Sequence, residues 1–224
     1  MKKRFLFKNE GFDEQAIISA IKHAINLSGQ NCKIHIVYPQ KSNFEFSDIG
    51  GIIDKIFGAG SAKKLCKGES IECMDFILPS KINSYNSSGV VLALYCTSDD
   101  MNLIDSNTSA DSIIFVSWLL KEANIWESTW YNNGLVVMNG EASQQIESLP
   151  KEVIQKLELL TRIINLSTGL THPSDQKHAE RIFKELKEDG YKADEQLITS
   201  WAIANGWNAR HLNDLKKLTK KYLS

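Results

Sequence analysis

The sequence predicts an α/β protein: a three-layer sandwich on a largely parallel sheet, followed by a small all-helical domain. Three observations carry this expectation. Short apolar runs without polar alternation, such as Val90 to Cys96 and Ile113 to Val116, suit strands buried on both faces. Segments with apolar residues at three- and four-residue spacing alternate with those runs, the order that generates parallel sheets. Beyond Pro150 the runs cease and helical spacing alone remains, which sets the domains at 1–148 and 149–224.

A chain of 224 residues accommodates a sheet domain of about 150 residues plus a small partner. Nothing reaches the roughly 18 consecutive apolar residues of a membrane helix. The start, Met1-Lys2-Lys3-Arg4-Phe5-Leu6-Phe7, is basic then apolar, but Lys8, Glu10, Asp13 and Glu14 cut the run short. It reads as a first strand or ordered arm rather than a signal peptide. Cys32, Cys66, Cys73 and Cys96 lack CxxC spacing and read as reduced thiols of a cytoplasmic protein. The five histidines are scattered without i, i+4 pairs, so no metal site is assigned and the cofactor stays unknown. Net charge is −1, with 13 basic against 17 acidic residues in 1–150 and 13 against 10 in 151–224. That falls short of the basic face of a dedicated nucleic-acid binder.

In chain order, Phe12, Ala16, Ile17, Ala20, Ile21, Ala24 and Ile25 predict an amphipathic helix ending near Gly29. Lys33 to Tyr38 reads as a strand stopped by Pro39, with His35 a structural residue inside it. Gln40 to Phe46 reads as a polar loop, and Ser47 as the cap of a helix over 48–57. Gly58-Ala59-Gly60-Ser61 is not a phosphate loop: it follows a helix and lacks both GxGxxG and GK[ST]. A helix stop and a short turn over 62–66 are expected there. Strands follow over 71–78, 90–96, 112–117 and 134–138, with helices after Ser98 and over 118–126. The first helix precedes the first clear strand, and a loop joins the strands at 71–78 and 90–96. This is not the dinucleotide-binding order, and that activity is not assigned.

The chain is organised around Gly89 to Ser106, where apolar strand, Thr97-Ser98-Asp99-Asp100 turn and helix meet. In an open α/β sheet that point is the carboxyl edge, where ligands bind. The candidate ligand-binding residues are Ser98, Asp99, Asp100, Ser117 and Trp118, with Ser42 or Asn43 from the first loop. Serine and aspartate also cap helices and complement the helix dipole, and capping is the plainer reading of the turn. His35 is the candidate base near that edge. Trp118, Trp126, Trp130 and Tyr131 form an aromatic group suited to a protein contact or to seating the C-terminal helices.

In the C-terminal part, helices are expected over 153–164, 179–186, 197–202 and 212–222. Ala179 to Gly190, Ile198 to Asn205 and the turn Gly206-Trp207-Asn208 form a pattern of helix, Leu-x-x-x-Gly, short helix, Gly-Trp-Asn and final helix. This resembles the YoaC-like family of small helical bacterial proteins of unknown function, over about a fifth of the chain. The resemblance implies a helical fold and a bacterial origin but no activity. Leu197 to Leu218 also has a helix-turn-helix outline with Arg210, Lys216, Lys217, Lys220 and Lys221, although those lysines recur as a solvated face would.

The function expected is a non-catalytic ligand-sensing or protein-interaction component with a pocket for a small polar molecule. A hydrolase or transferase acting on a nucleotide-like substrate at Asp99 and Asp100 is the alternative. Nucleic-acid binding through the C-terminal helices comes third.

Overall fold

A computed structural model describes residues 2–29, 33–84, 88–107, 109–140 and 148–224, so Cys32 lies outside the described residues. The chain divides into two compact units, 1–144 and 145–224. The first is an α/β unit with a six-stranded parallel sheet; the second is helical.

The strands are β1 (Lys3–Phe7), β2 (Ile34–Val37), β3 (Met74–Ile77), β4 (Val90–Leu94), β5 (Ser112–Val116) and β6 (Leu135–Asn139). Their order is β3-β2-β4-β5-β1-β6, every pair parallel. The central β4 and β5 are buried at every position, as their unbroken apolar runs require. Edge strand β6 alternates between half-buried and exposed.

On one face lie α1 (Glu14–Ser28), α2 (Lys41–Phe44), α3 (Asp48–Phe57) and α4 (Ser61–Lys67). Ala16, Ile17, Ala20, Ile21 and Ala24 of α1 and Ile49, Ile52 and Ile53 of α3 share a core with Ile34, Ile36, Leu92, Leu94, Ile114 and Val116. Asp13 caps α1 by accepting from Ala16 N at 3.0 Å, and Ser47 caps α3 by accepting from Gly50 N at 3.1 Å. The opposite face carries α5 (Ser98–Asn107) and α6 (Leu120–Trp130), with α6 over β1. There Phe115 meets Trp126 edge-to-face. Beside it a buried network forms: Arg4 Nε donates to Asp105 Oδ1 at 2.9 Å, while Trp126 and Trp130 Nε1 donate to Asp105 Oδ2 at 2.7 and 3.1 Å. The Arg4 guanidinium also stacks 3.3 Å over the Trp130 ring.

Four local expectations need correction. The loop over 40–46 holds the short α2, nucleated because Phe44 inserts fully between Tyr38 and Phe76. The turn over 62–66 is the helix α4, whose Ala62 and Leu65 join the core. The strand over 71–78 shortens to Met74–Ile77, because Glu72 adopts φ +51° and Ile71 pairs back on Met74 in a tight turn. Pro79–Ser84 is a 3₁₀ helix between β3 and β4. Gly89 enters β4 at φ +118°, and a Cβ there would fall 2.3 Å from the Lys33 carbonyl oxygen. Only glycine fits that crossing.

The helical unit comprises α7 (Lys151–Ile163), α8 (Pro173–Glu188), α9 (Glu195–Ala204) and α10 (Asn213–Tyr222). Leu157, Leu160, Ile182, Phe183, Leu186, Ile198 and Leu215 form its interior. Trp207 is buried and donates to Thr161 Oγ1 at 2.9 Å, so it anchors this small core.

Candidate functional site

The chain leaves β2 towards the α3 face and the neighbouring β4 towards the α5 face. The crevice outside their carboxyl ends is therefore a topological switch point, the usual ligand seat of an open α/β sheet. A cavity of about 400 Å³ lies there, lined by Tyr38, Phe46, Ser47, Asp48, Ile49, Tyr95 and Trp118.

Three of these aromatics close three adjacent strands. Tyr38 follows Ile34 and Ile36 on the α1 side of the β2 pleat, and Trp118 follows Ile114 and Val116 on the same side of β5. Tyr95 should face the other way, since Leu92 and Leu94 already take the α1 side. Instead its backbone sits at φ +57°, and the ring packs with the α1/α3 core. A left-handed conformation is costly for a bulky residue and marks a place where the surrounding structure imposes it. Here it re-aims the ring to stand edge-on to Trp118, centroids 4.8 Å apart.

The walls are pinned by the backbone. Gly11 N donates to the Trp118 carbonyl at 2.7 Å, and Glu10 Oε2 accepts from Leu120 N at 2.6 Å, tying the β1–α1 loop to the β5–α6 loop. Burial pushes the Tyr95 phenol up to about 12, opposed by the Asp13 backbone and reinforced by Tyr38, Asp13 and Asp48. Burial also raises Tyr38, and the Asp48 carboxylate adds to it. Both phenols are therefore neutral hydroxyl groups at physiological pH. Beneath them, burial holds the Cys96 thiol well above its usual range, which leaves it a packing group rather than a nucleophile.

Of the residues singled out in the sequence, Trp118 lines this cavity. Asp100 forms a reciprocal cap: its Oδ2 accepts from Thr97 N at 3.0 Å, while Thr97 Oγ1 accepts from Asp100 N at 3.2 Å. Ser98 is buried, and its N and Oγ both donate to Glu122 Oε2, joining α5 to α6. Asp99 is exposed on the first turn of α5. Ser117 is fully buried; its Oγ accepts from Asn9 N at 2.9 Å and donates to Asn9 O at 3.0 Å, clasping β1 to β5. Ser42 and Asn43 are exposed on α2. His35 lies on the opposite side of the β2 pleat from Tyr38, with Nδ1 2.6 Å from Asp75 Oδ1. It does not meet Asp99 or Asp100 in a base-and-acid pair. Trp126 and Trp130 are committed to Asp105, while Tyr131 is exposed.

Tyr38, Tyr95, Phe46 and Asp48 were not singled out as site residues. The signal for the two tyrosines is an aromatic residue closing an apolar run, IHIVY and VVLALY, as Trp118 closes IIFVSW. A second depression, of about 440 Å³, runs along α1 and the end of β6 past Phe7, His23 and Met138. It opens on the edge strand rather than at a switch point.

In the helical unit Lys217, Lys220 and Lys221 lie 2.9, 3.0 and 3.0 Å from Asp214, Glu195 and Glu180. The basic residues of α10 thus share their surface with acids. Among the described residues no group of three or more histidines, cysteines and acids is placed to hold a metal ion. No helix of the described residues is long and apolar enough to cross a membrane.

No curated protein and no solved structure matches the chain. The helical part, residues 150–224, is similar to a domain of unknown function, DUF1889, whose family model matches it.

Proposed function

We propose that the α/β unit is a non-catalytic ligand-binding component that takes a small polar molecule between Tyr38, Tyr95 and Trp118. The observation carrying this reading is the cavity at the β2/β4 switch point, with an aromatic residue from each of three adjacent strands in its wall. Its volume lies within the roughly 300–1,000 Å³ of small-molecule pockets. A hydrolase or transferase at Asp99 and Asp100 is less well supported, because Asp100 caps its own helix and His35 pairs with Asp75 on the other face.

One observation favours an added protein-interaction role. Phe12, Trp118, Leu119 and Leu120 are exposed at the tied β1–α1 and β5–α6 loops, where Trp118 lines the cavity, and Phe46 in the cavity wall is 86% exposed. An apolar rim of this kind suits a protein partner. The reading also includes a reduced, cytoplasmic setting, supported by the free thiols of Cys66, Cys73 and Cys96. A bacterial origin rests on the YoaC-like resemblance of the helical part.

The test is a thermal-shift screen of the whole chain against nucleosides, nucleotides, sugar phosphates, amino acids and amines. A ligand at a hundredfold excess over its Kd stabilises the native state by about 2.7 kcal/mol. A shift that disappears in Trp118→Ala and weakens in Tyr95→Phe supports the reading. A panel without shifts, or a shift untouched by Trp118→Ala, overturns it.

A further inference from the structure

The cavity's chemistry points beyond a polar ligand in general. Its wall combines the rings of Tyr38, Phe46, Tyr95 and Trp118 with one carboxylate, Asp48, and no lysine, arginine or histidine among the described lining residues. A second carboxylate, Asp13, caps α1 close enough to act on the Tyr95 phenol. Asp48 acts on both Tyr38 and Tyr95, so its field reaches across the aromatic wall.

Helix N-termini usually attract anions, and α1 and α3 both begin here. Each contributes roughly half a positive charge. Against that stand the full negative charges of Asp13 and Asp48, leaving the site net negative by about one unit. The anion seat of α3 is also already occupied, since the Ser47 hydroxyl accepts from Gly50 N and Asp48 follows at the first helical position. A phosphate or carboxylate entering the cavity would meet Asp48 without a compensating cation. An ammonium group would meet the opposite: a carboxylate together with several aromatic rings in one wall, the combination that recognises organic cations.

We propose that the ligand is an organic ammonium compound, its cationic head held between Tyr38, Tyr95, Trp118 and Asp48 and its apolar body covered by Phe46. This rests on the binding role proposed above and names the ligand class of the same site. The exposed Phe46 ring is the part of the wall free to fold over such a body.

The experiment compares three near-isosteric probes by isothermal titration calorimetry on the whole chain: choline, uncharged 3,3-dimethylbutan-1-ol and anionic 3,3-dimethylbutanoate. Choline is expected to bind at least tenfold more tightly than the alcohol, and the butanoate to give no heat. Asp48→Asn, an exposed conservative change that keeps the fold, is expected to weaken choline about tenfold while sparing the alcohol. Trp118→Ala is expected to abolish choline binding.

If the alcohol equals choline, or the butanoate exceeds it, and Trp118→Ala removes that binding, the ammonium assignment falls while the pocket stands. If choline binds but survives both substitutions, it binds elsewhere and the ammonium assignment falls, while the wider screen again decides the pocket. If none of the three binds, the ammonium assignment is overturned, and the wider screen decides the pocket separately.

Discussion

Replacing Asp105 with alanine is expected to bring the α/β unit close to unfolding. The carboxylate is 2% exposed and the Arg4 side chain 7%, so neither charge can be rehydrated by a small shift. Removing one partner of a buried ion pair costs about 3–5 kcal/mol, because the other charge remains desolvated and unpaired. Two indole N–H groups, of Trp126 and Trp130, lose their acceptor as well. Each orphaned donor costs on the order of 1 kcal/mol or more, though these penalties overlap with the first. A combined loss of about 4–6 kcal/mol is set against a typical total of 5–15 kcal/mol. The assay is urea unfolding, followed by near-ultraviolet circular dichroism of the buried tryptophans. With m near 2 kcal/mol/M the midpoint should fall by about 2–3 M. The double replacement Arg4→Met with Asp105→Leu should recover part of the loss, since it removes the stranded charge along with its partner. A loss below about 1 kcal/mol in Asp105→Ala, or a double variant no better than the single, would refute the reasoning.

Gly89→Ala should destabilise the α/β unit by more than about 1 kcal/mol, because its new Cβ would fall 2.3 Å from the Lys33 carbonyl at φ +118°; an unchanged urea midpoint contradicts this. The raised Tyr95 phenol makes a prediction in alkali. Folding favours its neutral form, so that contribution is intact below pH 10 and is lost as pH climbs from 10 towards about 12. Ultraviolet titration at the phenolate band should show Tyr95→Phe deleting a late-ionising group, and loss of an early-ionising one would contradict the burial argument. Trp207→Phe keeps an aromatic ring but loses the indole's second ring and its bond to Thr161 Oγ1, which retains its own bond to the Leu157 carbonyl. It should cost about 1–2 kcal/mol in the thermal transition of the helical unit, and an unmoved transition would mean the indole bond is not a stabilising one.

The fold class was legible because burial on two faces leaves a direct mark: the runs of β4 and β5 have no polar alternation, and the helices between them keep their stripes. Strand order was not legible. The placement of β1 between β5 and β6 depends on contacts across more than a hundred residues, which no local spacing encodes. The α2 helix was hidden because its one core residue, Phe44, sits in an otherwise polar stretch. The turn after β4 lies at the sheet's carboxyl edge, and Trp118 lines the cavity there. Tyr95 was read as the tail of a buried strand. Period-two alternation cannot foresee a single left-handed residue, yet that residue turns a ring from one face to the other. The polar residues Ser98, Asp100 and Ser117 drew attention by their chemistry, and they turn out to bond within the frame.

The position of β1 also dictates a timetable. Phe5 sits beside Ile114 on one side and Val136 on the other. During synthesis the apolar Phe5-Leu6-Phe7 segment therefore waits for strands made more than a hundred residues later. At about 5–20 residues per second that interval is roughly 5–20 s. Through this time β2, β3 and β4 can already pair among themselves, whereas β1 has no strand to join. The growing chain carries an unsatisfied sticky segment until β5 emerges. The last strand to emerge, β6, is also the one that covers the far edge of β1. Completion of this sheet is thus a late, long-range event, and burdens on the nascent chain will concentrate on β1.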